Sequence, residues 1–245
     1  MTALKLPYFF AGSNTGCLLL HGFSSTPAEL RVIGEALAQS NYTTKGILLA
    51  GHGTKPEDLL GVTYENWIDS AQEGINELKK SCNRIVVIGH SMGGLLALQM
   101  AARNKISAVI TIAAALKPTN RKMKIAWLLK HFQKYTSLPS KKVSTEQGKY
   151  LIHYPYFPVS AVAELHRLAN HTKKILPQIT TDALIIQTED DKTVRPESAQ
   201  IIIDKISSER KESLLLREGT HSAPVIPPHN EQIIARIIQF IKDND

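Results

Sequence analysis

Cysteine is scarce in this chain: Cys17 and Cys82 are the two among 245 residues. Two cysteines cannot build a disulfide scaffold, and beside apolar strand-like runs they read as buried free thiols. Long apolar stretches are absent as well. No run approaches the ~20 residues that cross a bilayer as a helix. The first ten residues carry one lysine and a short Leu6-Pro-Tyr-Phe-Phe10 patch. No small-residue cleavage site follows before Cys17-Leu-Leu-Leu20, so a secretory signal is not expected. With reduced thiols, this makes the expected location cytoplasmic. Metal-type Cys/His spacings and internal repeats are also missing, so neither a metal nor another cofactor is expected.

Acidic residues are nearly missing from one stretch. Between Lys117 and Pro158 stand nine Lys or Arg and a single acid, Glu146. The remaining chain holds 20 basic and 21 acidic residues, so the net charge of +7 belongs to this segment and not to the whole chain. A basic protein raises the question of nucleic acid. No nucleic-acid motif accompanies the charge, so no such partner is expected.

What is present is enough apolar content, 43%, for a sizeable core. Short apolar runs alternate with helical spacing. Strands are expected over 16–20, 46–50, 85–88, 106–112, 183–187 and 213–217. Helices are expected over 27–40, 64–80, 95–103, 159–176, 197–206 and 231–242, the first with Thr26 as N-cap and Pro27 at its first position. Such alternation argues for a mostly parallel sheet covered on both faces. Ligands bind such sheets beyond the carboxyl ends of the strands.

The run Arg84-Ile-Val-Val-Ile88 leads directly into Gly89-His90-Ser91-Met92-Gly93. A Gly-x-Ser-x-Gly turn between strand and helix presents its serine strained and exposed at the sheet edge. The plain alternative is a serine in an ordinary strand-to-helix turn. The serine needs a base to activate it. Of nine histidines, His221 follows the last strand in Glu218-Gly-Thr-His221, where a loop can point the ring back along the edge. On its own it would read as a solvated loop histidine. The base needs an orienting acid. Glu189, Asp190 and Asp191 all follow the strand ending at Gln187. A loop needs some length to curl back under the histidine, which favours Asp191 among the three. The backbone N–H groups of Met92 and of Phe23, in His21-Gly22-Phe23, suit an oxyanion hole. Phe23 reads equally as an apolar loop anchor.

His21-Gly22-Phe23, Gly51-His52-Gly53, Gly89 to Gly93, Asp191-Lys-Thr-Val194 and Gly219-Thr-His221 resemble the α/β-hydrolases in order and spacing. The likeness is to the small carboxylesterases and monoacylglycerol lipases. It implies an α/β-hydrolase fold: a mostly parallel central sheet with helices on both faces and a small inserted cap. The core would be 1–116 with 159–245, and the cap 117–158. It implies Ser91 as nucleophile, His221 as base, Asp191 as acid, and Phe23 and Met92 as oxyanion donors. The substrate would be a small acyl ester, cleaved through an acyl-enzyme. A thioesterase, amidase or C–C bond hydrolase would use the same residues, and a non-catalytic binding protein could share the scaffold. The chain departs from the family pattern at Thr188, where many members have Gly, and at Asp182, where many have Pro.

Within the basic segment Ile125, Leu128, Leu129 and Phe132 stand at i, i+3, i+4 and i+7, flanked by Lys122, Lys124, Lys130 and Lys134. This reads as a short amphipathic basic helix with its apolar side on the active site. A sharper expectation is contact with anionic lipid surfaces or acidic acyl groups.

Overall fold

A computed structural model describes residues 3–137 and 146–244. Lys141 and Lys142 of the basic segment lie outside the described residues. The elements run β1 (Tyr8–Phe10), β2 (Thr15–Leu20), α1 (Arg31–Gln39), β3 (Thr43–Gly46), α2 (Tyr64–Leu78), β4 (Arg84–His90), α3 (Met92–Arg103) and β5 (Ala108–Ile112). Then follow a one-turn α4 (Ala126–Leu129), β6 (Tyr135–Thr136), β7 (Phe157–Pro158), α5 (Val159–Ile175), β8 (Asp182–Thr188), α6 (Glu197–Lys205), β9 (Lys211–Leu216) and α7 (His229–Lys242). Seven strands form one sheet in the order β1-β3-β2-β4-β5-β8-β9. Every pairing is parallel except that of β1 with β3.

The sheet is covered on both faces because alternate side chains of its central strands are apolar in both directions. Leu18, Leu20, Val87, Val109 and Ile185 face a core built with α2, α3 and α5. Cys17, Leu19, Val86, Ile88, Ile110 and Ile186 face a second core completed by Leu30, Ile33 and Leu37 on one side and Ile237 and Phe240 on the other. Each fully buried aliphatic or aromatic side chain stabilises the fold by roughly 1.5–3 kcal/mol. Cys17 and Cys82 are buried and are not joined by a disulfide, as expected. Among the described residues no helix is long and apolar enough to cross a membrane.

Three expectations need correction. The strand expected over 46–50 lies earlier, at Thr43–Gly46; the Ile47 N–H still donates to the Leu19 carbonyl at 3.4 Å, and residues 48–50 leave the ladder. β2 ends at Leu20, so β3 has no partner strand further along. Ile47 and Leu49 are still buried, and the Leu49 N–H donates to the His21 ring instead of to a strand. Burial made this loop resemble a strand. The helix expected from Pro27 starts with a 3₁₀ turn, Pro27–Leu30, before α1, and the Thr26 side chain makes no capping bond.

The third correction concerns the basic segment. Its expected amphipathic helix is a 3₁₀ turn, Arg121–Ile125, followed by the single turn of α4. Met123, Ala126 and Leu129 pack inward. Ile125, Trp127, Leu128 and Phe132 are exposed by 48%, 59%, 45% and 84%. The apolar side expected on the active site therefore faces outward. The reason is the winding: inward residues three apart suit the tighter 3₁₀ turn, and small Ala126 lets the turn sit close against α5.

Candidate active site

β4 delivers Ser91 to the carboxyl edge of the sheet between β2 and β5. Its φ is +54° and its ψ −113°, a conformation that non-glycine residues rarely hold. The turn persists because its surroundings leave no alternative. A Cβ at Gly89 would land on the Gly93 carbonyl, and one at Gly93 on the Leu20 carbonyl. The Ser91 N–H donates to the Ile112 carbonyl at 2.9 Å, and its carbonyl accepts from Gly94 and Ala115. The strain is thus held by glycine packing below and by hydrogen bonds on both sides.

Three side chains that lie far apart in sequence meet here. Ser91 Oγ is 3.0 Å from His221 Nε2, and His221 Nδ1 is 2.7 Å from Asp191 Oδ2. The Asp191 side chain is fully buried, whereas Glu189 and Asp190 are exposed. Asp191 Oδ1 accepts from the N–H groups of Thr193 and Val194, at 2.7 and 2.9 Å. Burial alone would raise this carboxyl. The His221 imidazole and the two backbone donors outweigh burial and hold it below the ordinary carboxylate range. Thr188, where the family pattern commonly has Gly, places its hydroxyl 3.4 Å from the Thr220 carbonyl, beneath the His221 loop.

The loop after β2 lies against the serine: a Cβ built on Gly22 would be 3.3 Å from the Ser91 Cβ. Phe23 follows, with its ring edge-on to His52, Trp67 and Phe157. Met92 opens α3, so its N–H belongs to the positive end of that helix. His21 and His52 are buried, and burial pushes them down to about 4 and about 3. Both are neutral structural rings bonded to backbone. Among the described residues no group of three His, Cys, Asp or Glu side chains is arranged to hold a metal ion.

The basic segment is stitched to this edge. Tyr154 donates its N–H to the Ser24 carbonyl and its hydroxyl to the Gly51 carbonyl, each at 3.0 Å. Tyr156 donates to Glu57 at 2.7 Å.

Comparison with known proteins places the chain. The family model described as serine aminopeptidase, S33 (Hydrolase_4) matches residues 13–225. The chain belongs to this family of α/β-hydrolases. The hydrolase is 34% identical over 238 residues to a thermostable monoacylglycerol lipase of Bacillus sp. (strain H-257), covering 96% of this chain and 93% of that protein. It is 25% identical to a carboxylesterase of Bacillus subtilis (strain 168), over 88% of this chain and 87% of that one. A structure from work on LipS and LipT, two metagenome-derived lipolytic enzymes, superposes with a TM-score of 0.92 at 28% identity, over 98% of both chains. The α/β-hydrolase fold and the lipase- and esterase-like character expected from the motifs are both borne out.

Two buried polar side chains beside the site, Glu29 and His90, were not singled out by the sequence. Glu29 was legible in principle. It falls in line with Ile33 and Leu37 at four-residue spacing, a charge on the apolar stripe of a helix. His90 gave no such signal, since it sits inside the motif that drew attention to its neighbour.

Proposed function

We propose that this hydrolase cleaves carboxylic esters of short- to medium-chain acyl groups, monoacylglycerols among them, through an acyl-Ser91 intermediate. The observation that carries the reading is the hydrogen-bonded row Ser91–His221–Asp191. Ser91 Oγ attacks the ester carbonyl while His221 Nε2 takes its proton. The oxyanion is held by the N–H groups of Phe23 and Met92. Collapse expels the alcohol, which takes the proton back from His221. Water, activated by the same ring, then releases the acid and frees Ser91. Asp191 stays ionised throughout and keeps the ring's Nδ1–H oriented.

Residues 117–158 serve in this reading as a cap. Its support is the pair of Tyr154 bonds to Ser24 and Gly51, and Phe157 packed on Phe23 at 5.0 Å between ring centroids. Two buried cysteines with no disulfide between them support a cytoplasmic location.

The test is turnover of p-nitrophenyl butyrate beside the matching thioester and an aminoacyl p-nitroanilide. Release from the ester, with a butyryl adduct on Ser91 by mass spectrometry, is the expected result. Faster release from the anilide would favour the amide chemistry named in the family description.

The outward side of the cap supports a further partner, an anionic lipid surface. Trp127, Leu128 and Phe132 would enter the headgroup boundary, and Lys122, Lys124, Lys130 and Lys134 would meet its charge. Each lysine near such a surface contributes about 1 kcal/mol at most. Co-sedimentation with phosphatidylglycerol vesicles at low salt is expected to exceed that with phosphatidylcholine vesicles and to fall as salt is added. Equal binding to the two would dispose of the idea.

A further inference from the structure

Beneath Ser91 runs a second line of buried polar groups, which the proton transfers above do not use. Glu29 and His90 are 3% and 2% exposed. Glu29 Oε2 accepts from the Gly22 N–H at 2.6 Å and lies 3.1 Å from His90 Nδ1. The Nδ1 contact is not aligned as a directed hydrogen bond, so the attraction is chiefly between charges. On its other side His90 Nε2 donates to the His221 carbonyl at 3.0 Å. A carbonyl and an ionised carboxylate can only accept. Both ring nitrogens therefore face acceptors, and the ring meets both needs only with two protons.

We propose that Glu29 and His90 form a standing buried ion pair that ties the oxyanion loop at Gly22 to the base loop at His221, with Glu29 as a positioning residue for ester hydrolysis. The pair spans the nucleophile. One end fixes the residue before the oxyanion donor Phe23, and the other fixes the backbone of the base itself. His90 is the residue directly before Ser91, so the clamp is anchored where the strained turn begins. The inference rests on the serine-hydrolase reading given above.

The electrostatics agree with the geometry. Burial alone would lower His90 and raise Glu29; the opposite charge at 3.1 Å outweighs it in both, leaving His90 raised and Glu29 far below the usual carboxylate range. The other groups that face His90 are His21 at the end of β2, Asp191 and His221 in the loops after β8 and β9, and His153 of the cap segment. Asp191 is already committed to His221, which leaves Glu29 as the counter-ion. Because the folded-state value of His90 is raised, the pair is complete below the ordinary histidine range. It is lost as pH rises through the raised value.

The test is Glu29→Gln, which keeps the shape and an acceptor for Gly22 but removes the charge. It is expected to lower kcat on p-nitrophenyl butyrate by ~10- to 100-fold, the scale of small misplacements of catalytic groups. KM should stay within ~2-fold. The alkaline fall in kcat should move toward lower pH, a change that mere loosening of the fold would not produce. His90→Asn should cost a similar factor, and the double variant little more than either single one. An unchanged kcat in Glu29→Gln, or multiplicative losses in the double variant, overturns the pair. Proton NMR of the wild type at about pH 7, above the ordinary histidine value, should show two ring N–H resonances that vanish in His90→Asn. One ring proton at neutral pH overturns the proposal, even if Glu29→Gln does not fold. A wild type that shows both ring protons but leaves the ester intact counts against the esterase reading alone.

Discussion

Ser91→Ala is expected to leave the fold intact and to lower kcat on p-nitrophenyl butyrate by at least ~10³-fold. The substitution removes one oxygen from a residue that is 9% exposed. The backbone bonds that hold the turn, Ser91 N–H to Ile112 and its carbonyl to Gly94 and Ala115, do not involve Oγ. Alanine at a φ of +54° is no more strained than serine. The melting temperature should therefore hardly move, and the loss is chemical. Residual hydrolysis would come from the proposed oxyanion donors and from binding. A fluorophosphonate should label the wild type and not the variant. Activity that survives in folded Ser91→Ala would remove the serine from the mechanism altogether.

Asp191→Asn should be nearly as damaging, by about 10³- to 10⁴-fold in kcat. The amide nitrogen or oxygen must then face His221 Nδ1 in place of a carboxylate at 2.7 Å. Either the ring loses its partner or it turns to the tautomer that presents Nε2–H to Ser91, which cannot accept the proton. Asp190→Asn and Glu189→Gln alter exposed side chains and should stay within ~2-fold. A comparable loss in either would transfer the acid role away from Asp191. The sign for stability follows from the lowered Asp191 carboxyl. Its contribution is present above the unfolded-state value and disappears as pH falls through the folded one. Melting curves of the wild type should therefore drop more steeply than those of Asp191→Asn as pH is taken into the acid range.

Much of this architecture was readable because burial on both faces imposes a simple pattern. Short, β-branched apolar runs such as Ile85–Ile88, bounded by turn residues, match central parallel strands, and their ends mark where Ser91, Asp191 and His221 stand. Contrast β1: three residues at the edge, buried at Tyr8 and exposed at Phe9, carry too short a pattern to register. Ile47 and Leu49 misled because apolarity reports burial and not hydrogen bonding. The basic segment misled for a related reason. Ile125, Leu128, Leu129 and Phe132 do share a helical spacing, but the side that meets the core is set by Met123, Ala126 and Leu129, which leaves the other three outside. The Glu29–His90 contact joins residues some sixty positions apart across the sheet edge, and no local spacing encodes it.

The positions of the two tryptophans have a practical consequence. Trp67 is fully buried, bonded to the Ala50 carbonyl at 3.1 Å and edge-on to Phe23. Trp127 is the widely exposed one, on the outer side of the basic segment. A collisional quencher such as acrylamide reaches Trp127 and is excluded from Trp67. The native emission therefore divides into two channels without any label. The quenchable part reports what settles on the basic segment, and the protected part reports the packing behind Phe23, beside the Ser91 turn.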